Sequence, residues 1–331
     1  MAWTDIIGHE LAKRVFQSQL ASGRLSNAYL LVGPDGIGKK RLALEMAKAL
    51  NCTAEAPQRP CDSCRTCSQT ARGTHPDAHL VSPGGASEQV KIDQIRYVIG
   101  RVALKPFSAA YQVVVVDGAD RMTEEAANSL LKALEEPSAV TTFLLTTSKL
   151  TACLPTIVSR CQMMRCQPLP PAVVEQFLAG QGIDAAAARS VARLSGGSMS
   201  RAADLASRWD AYRQLVDRLS NGRVTTWVEA HGGDTRQDVA RLLEGMVAWL
   251  RDIVVASTGD STQLAHPDRT EAIEDLARRT DVDRCLETAA ELIRLRESIE
   301  QFVNPRLIAS LAREHWLSLV TATQPRPLIP T

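Results

Sequence analysis

The run Tyr29-Leu30-Leu31-Val32 feeds straight into Gly33-Pro34-Asp35-Gly36-Ile37-Gly38-Lys39, and helical periodicity begins at once beyond it. A continuous apolar run that ends at a glycine loop reads as a buried strand. Leu42, Met46 and Leu50, with Ala43 and Ala47 alongside, mark one face of the helix that follows. In that strand–loop–helix setting, glycines let backbone N–H groups curl around a β-phosphate, and the helix N-terminus adds partial positive charge. Gly33, Gly36 and Gly38 shape the cradle, and Lys39 reaches the β and γ oxygens. The plainer reading is a glycine turn with an incidental lysine. The context on both sides favours the phosphate loop.

The next residue is Lys40, where such a loop carries Ser or Thr as a Mg²⁺ ligand. A lysine has no acceptor atom and is itself a cation, so it cannot ligate the metal. Further on, Val113-Val114-Val115-Val116 reads as a strand buried on both faces, and Asp117 at its end fits a metal-facing carboxylate. The bland alternative is that Asp117 merely starts a turn. Active ATPases of this kind follow the acid with a water-positioning glutamate, but here the residue is Gly118. Asp120 lies two positions on and is a poor substitute. Hydrolysis depends on positioning and charge stabilisation, so the sequence predicts little or no ATP turnover. Binding of ATP or ADP is a separate matter, because Lys39 and the glycines are intact.

Four of the eight cysteines, Cys52, Cys61, Cys64 and Cys67, form the pattern C-x8-C-x2-C-x2-C. Two intervening residues let neighbouring thiolates face one ion, and four thiolates with no open position suit structural Zn²⁺. An iron–sulfur cluster uses the same donors, though nothing nearby points to electron transfer. His75 and His79 are close, but four thiolates already complete a site.

Strand-like and helical stretches alternate through the first half. Ala78–Val81 and Phe143–Thr147 read as strands, and Ile92, Ile95, Ile99 and Val102 mark an amphipathic helix. Another helix opens at Thr123 with Glu124 and Glu125 in its first turn, carries Ala127, Leu130, Leu131 and Leu134, and stops at Pro137. After Pro168 only helical patterns remain, such as Leu242, Leu243, Met246, Leu250, Ile253 and Val254, or Leu292, Leu295, Ile299 and Phe302. A break near Ser207 divides a small helical segment from a larger one, and Gln324–Pro327 reads as a frayed tail. Met163 and Met164 read as core.

At 331 residues the chain is expected to form two or three domains. Its 38 Lys plus Arg against 37 Asp plus Glu argue against coating nucleic acid through bulk charge. No run of eighteen apolar residues occurs and the N-terminal stretch has no apolar signal core, so a cytoplasmic protein without membrane contact is expected.

Several further segments join this pattern. Asn27-Ala28-Tyr29-Leu30 leads into the loop, and Asn128-Ser129-Leu130-Leu131-Lys132-Ala133-Leu134-Glu135-Glu136-Pro137 follows the second strand element. Then come Ser159-Arg160-Cys161 and, far later, Asn304-Pro305-Arg306-Leu307. Together with the inserted cysteine knuckle, these resemble the bacterial clamp-loader subunits of DNA polymerase III, members of the AAA+ ATPases. The resemblance covers nearly the whole chain and is densest between residues 27 and 168.

It implies an α/β AAA+ P-loop domain with a parallel sheet and inserted zinc knuckle (residues 1–167, with the four-cysteine zinc module at 52–67). A small three-helix lid (168–207) and an all-α collar (208–331) would follow. It also implies an arginine finger at Arg160, reaching a neighbouring subunit's γ-phosphate, and sensor positions at Thr147 and Arg201. For Arg160 the plain alternative is a surface salt bridge. The implied partners are tau/gamma and delta subunits and, through the assembly, the sliding clamp and primed DNA. The damaged pocket suits a silent subunit rather than a tau/gamma-like motor. A P-loop kinase would leave the knuckle and the SRC triplet without a role, and no carboxylate cluster suits nucleotide addition.

Overall fold

The computed structural model describes residue 3 and residues 6–55, 58–85, 88–137, 140–220, 235–300 and 304–321. Phe302 and the Gln324–Pro327 tail lie outside the described residues. The first half runs α1 (Glu10–Ser22), β1 (Ala28–Val32), α2 (Lys39–Asn51), α3 (Arg65–Ala71), β2 (Ala78–Val81), α4 (Ile92–Val102), β3 (Gln112–Val116), α5 (Glu124–Glu135), β4 (Thr141–Thr147), α6 (Pro155–Val158) and β5 (Gln162–Arg165). The five strands form one sheet in the order β2-β3-β4-β1-β5, and every pairing is parallel.

Parallel strands joined by helical crossovers are covered on both faces, which is why β3 and β4 are buried along their whole length. Alternation along the strands splits the core in two. Leu30, Val114, Val116, Phe143 and Leu145 pack with Ile95 and Val98 of α4 and Ala126 and Leu130 of α5. Tyr29, Leu31, Val113, Val115 and Leu144 pack with Phe16 of α1 and Leu42 and Met46 of α2.

Helix α5 starts at Thr123, whose hydroxyl accepts the Ala126 N–H, with Glu124 and Glu125 in the first turn. Strand β5 was not legible in advance. It lies on the sheet edge, so Met164 is buried while Met163 is 40% exposed. The expectation that both methionines are core therefore holds for Met164 alone.

Two further bonds tie α2 to the start of β3. The Asn51 side chain donates to the Tyr111 carbonyl at 2.8 Å and accepts the Tyr111 N–H at 2.9 Å. The loop before β3 is pinned by Asp77, whose carboxylate accepts the N–H groups of Phe107, Ser108 and Ala109 at 2.6, 2.8 and 3.0 Å.

The chain separates into two compact units, Met1–Pro170 with Gly197–Ser200, and Pro171–Gly196 with Arg201–Thr331. Beyond β5 the described residues hold helices only: α7 (Pro171–Gly180), α8 (Ala185–Leu194), α9 (Met199–Ser207), α10 (Trp209–Ser220), α11 (Arg236–Ser257), α12 (Thr270–Arg279), α13 (Val282–Glu300) and α14 (Pro305–Thr321). Leu242, Leu243, Met246, Leu250 and Ile253 of α11 are buried, as their spacing requires. Within the second unit Asp252 has no exposed surface and accepts from His266 Nδ1 at 2.8 Å, and His266 Nε2 bonds the Tyr212 hydroxyl at 2.9 Å. Among the described residues no helix is long and apolar enough to cross a membrane.

Candidate functional site

The carboxyl ends of β1, β3 and β4 meet at a cavity of about 800 Å³, the crevice where ligands bind on open parallel sheets. Its wall includes Gly36, Gly38, Lys39, Lys40, Asp117 and Thr146. The loop after β1 needs its glycines for two different reasons. A Cβ on Gly33 would stand 2.2 Å from the Cys166 carbonyl oxygen, a backbone atom that cannot give way. Gly38, just before α2, has φ 101°, a conformation that side chains rarely adopt. Gly36 accepts the Ser200 N–H at 3.2 Å through its carbonyl.

Lys39 is almost fully buried and donates to the Gly33 and Pro34 carbonyls at 2.7 and 2.6 Å. Burial pulls its pKa down, while Asp35 pulls it back up. His9 adds a brace that the sequence did not suggest. Its Nε2 lies 2.8 Å from the Ile37 carbonyl, which can only accept, so that nitrogen carries the proton. Burial lowers the pKa of this ring.

Lys40 is the decisive side chain. Its Nζ stands 3.3 Å from Asp117 Oδ2 and donates to Ser82 Oγ at 2.9 Å. Asp117 Oδ1 accepts from the Thr146 hydroxyl at 2.9 Å, and Thr146 Oγ1 accepts the Gly118 N–H at 3.0 Å. These residues do not fit a magnesium ion, because an ammonium occupies the carboxylate that would hold it.

Gly118 has φ 83°, and a Cβ there would come within 3.3 Å of Arg121 Cδ and 3.4 Å of Pro83 Cγ. The backbone thus takes a path ill suited to any glutamate. Asp120 is engaged elsewhere, accepting from Ser148 Oγ at 2.7 Å. Burial would raise its pKa, but hydrogen bonds from Ser148 and Thr147 outweigh that and hold it low.

Strand alternation decides which threonine meets the pocket. Thr146 and Ser148 line it, whereas Thr147 is fully buried with its hydroxyl 3.3 Å from Cys153 Sγ. Thr146, one step before the expected sensor Thr147, is thus the threonine on the cavity wall. Arg201 is exposed and belongs to the second unit.

At the other end of α2 stands the cysteine cluster. The four sulfurs of Cys52, Cys61, Cys64 and Cys67 all lie within 4.8 Å of one another. Zn–S bonds of about 2.3 Å in a tetrahedron place the sulfurs about 3.8 Å apart, inside that 4.8 Å limit, so small side-chain adjustments let the donor set close on one metal ion. Backbone N–H groups of Cys64 and Cys67 point at Cys61 Sγ and Cys64 Sγ, each at 3.4 Å. Burial would raise the Cys64 thiol, but N–H groups of Cys67 and Thr53 outweigh it and draw the thiol down to about 6.

Lys48 of α2 reaches into this knuckle. Its Nζ lies 2.5 Å from Asp62 Oδ1 and 2.6 Å from Glu45 Oε1. Asp62 itself is held at φ 58°, an unusual conformation for a residue with a Cβ. No spacing rule in the sequence pairs Lys48 with Asp62.

Arg160 follows α6. Its Nη2 lies 2.6 Å from Glu135 Oε1, and its Nη1 donates to the Thr156 carbonyl at 2.9 Å. The guanidinium remains 34% exposed, while the next residue, Cys161, packs against the core. The LLK-LEEP helix thus supplies the carboxylate that orients the SRC arginine.

Comparison with known proteins bears on both halves of the chain. The family models described as "DNA polymerase III, delta subunit" and "DNA polymerase III, delta subunit, C terminal" match residues 8–170 and 206–317. The DNA polymerase III subunit delta' of Bacillus subtilis is 32% identical over 295 residues, covering 84% of this chain and 87% of its own. That of Pseudomonas aeruginosa is 35% identical over 233 residues, covering 70% of this chain and 64% of its own. The DNA polymerase III subunit tau of Bacillus subtilis is 34% identical over 158 residues, 48% of this chain and 28% of its own.

Proposed function

The chain belongs to the DNA polymerase III delta-prime subunit family, and on that premise we propose that it works as a silent subunit of a sliding-clamp loader. It completes the ATP site of a neighbour and does not turn over ATP itself. The observation that carries this reading is the Lys40–Asp117 ion pair at 3.3 Å, which sets an ammonium where a metal ion would be held. With Gly118 in a left-handed turn, no water-positioning carboxylate follows the strand either.

In this reading Arg160 is the group that acts in trans. Its guanidinium, now on Glu135, would turn to the γ-phosphate held by an adjoining subunit and stabilise charge as the phosphoryl group leaves. The sheet domain (1–167) carries that arginine, residues 168–207 form a lid, and residues 208–331 form the collar that holds the ring. Lid residue Arg201 and strand residue Thr147 take the sensor positions of that arrangement, the latter acting through its neighbours. Tau/gamma and delta subunits are the partners, and the assembly meets the sliding clamp and primed DNA. Cys52, Cys61, Cys64 and Cys67 hold structural Zn²⁺, and the work is cytoplasmic. ATP or ADP is the ligand that the intact loop accommodates. A tau/gamma-like motor would need a hydroxyl at position 40 and an acid at 118, and neither is present.

The test is the Arg160→Ala variant in a reconstituted loader. DNA-stimulated ATP turnover at the site that Arg160 completes should fall by about 10³-fold or more, the scale of a lost arginine finger, while assembly by gel filtration is unaffected. Full turnover in the variant assembly, or strong turnover by the isolated chain, would overturn the reading.

A further inference from the structure

In phosphate-loop NTPases the metal sits between the hydroxyl that follows the loop lysine and the acid at the end of the neighbouring strand. Here those two positions are Lys40 and Asp117, and the ammonium of the first already lies 3.3 Å from the carboxylate of the second. We propose that Lys40 is a built-in cation for this pocket, so that it binds a nucleoside di- or triphosphate as the metal-free anion.

The donor inventory supports this role. An ammonium has three N–H donors. Those of Lys40 meet Asp117 and Ser82, which leaves one for a phosphate oxygen. Lys39 is likewise bonded to two loop carbonyls and keeps a third donor. The Lys40 side chain is 42% exposed and lines the cavity, so its head group is open to an incoming ligand.

Charge points the same way. A magnesium ion arriving with a nucleotide would meet a fixed ammonium at its own position and find Asp117 already paired, so metal and lysine exclude one another. Arg121 on the cavity wall is itself shared between Asp35 at 3.6 Å and Glu88 at 3.7 Å, so Lys40 is the cation that stands at the metal's place. A cavity of about 800 Å³ is large enough for a nucleotide.

This inference rests on the phosphate-loop part of the function proposed above and not on Arg160. Turnover of the reconstituted loader tests the arginine, and nucleotide titration of the purified full chain tests the lysine, so either can fail alone. The titration uses ADP and ATP by calorimetry, once with EDTA and once with excess Mg²⁺.

The parent protein should bind in EDTA at least as tightly as in Mg²⁺. Lys40→Thr should bind about tenfold or more weakly in EDTA, having lost a charge-assisted hydrogen bond, and recover when Mg²⁺ is added. Lys40→Met should be weak under both conditions, and melting scans check that each variant is folded. A parent protein that requires Mg²⁺, that binds neither nucleotide, or whose EDTA affinity survives Lys40→Thr would overturn the proposal.

Discussion

The two ends of α2 meet opposite electrostatic problems. At its start, the loop and the acid at the end of β3 are satisfied by the chain's own cations: Lys39 on loop carbonyls, Lys40 on Asp117. At its finish, four sulfurs converge within 4.8 Å, and the nearest lysine, Lys48, is spent on Asp62 and Glu45. One end carries its cation in the sequence, and the other offers a four-sulfur donor set that fits one. The difference teaches that losing a metal ligand need not leave a hole, because the residue that replaces it can bring its own charge.

Metal removal breaks this comparison most severely. Chelation, or Cys67→Ser, should abolish amide-exchange protection around Cys61–Cys67, since structural zinc modules draw about 10 kcal/mol or more of apparent stability from their ion. Protection of the loop before Lys39 should persist, because its bonds are internal to the chain. Loss of protection at both ends together would show that they are not independent.

A smaller effect is expected from Lys48→Met, which strands a carboxylate, Glu45, that is only 7% exposed. The cost at neutral pH should be about 2 kcal/mol, below the range for fully buried pairs because Asp62 is 39% exposed. Burial holds Glu45 above the ordinary carboxylate range, and losing Lys48 raises it further. An acid whose folded pKa exceeds its unfolded value stabilises the fold by taking up a proton as pH falls between the two. The deficit relative to the parent should therefore shrink from pH 7 toward about pH 5 in denaturant melts. A deficit that grows with acidity would contradict this account.

The smallest effect sharpens the other end. Lys40→Ala should change stability by less than about 1 kcal/mol, because the lysine is 42% exposed and its ion pair is screened by solvent. A large loss in the melting curve would make the Lys40–Asp117 pair structural rather than a ligand-facing device.

How much of this was legible depended on whether the signal was local. Strand β1, the glycine loop and α2 are contiguous, so their order and burial follow from periodicity. The cysteine pattern was likewise visible, because ligand spacing is a local property. Strand β5 was missed because QMMR is short, sits on an edge and alternates in burial only once the sheet exists. The choice of Thr146 over Thr147 needed the register of β4 beside β1 and β3, since one step along a strand reverses the face. Lys40 was recognised as a defect, but its pairing with Asp117 joins segments that only the folded sheet brings together. The same holds for Lys48 with Asp62 and for Arg160 with Glu135.

The Asn51 side chain, doubly bonded to Tyr111, now takes on a metrological meaning. Helix α2 and strand β3 are fastened at both ends, Asn51 to Tyr111 at one and Lys40 to Asp117 at the other. From Lys40 to Asn51 the helix spans about 17 Å, and from Tyr111 to Asp117 the strand spans about 20 Å. The two act as matched rulers clamped side by side. Lengthening β3 by a single residue would move its acid by about 3.3 Å and send alternate side chains to the wrong face. The tolerance for error at the ammonium is thus less than one residue, set by an amide at the far end.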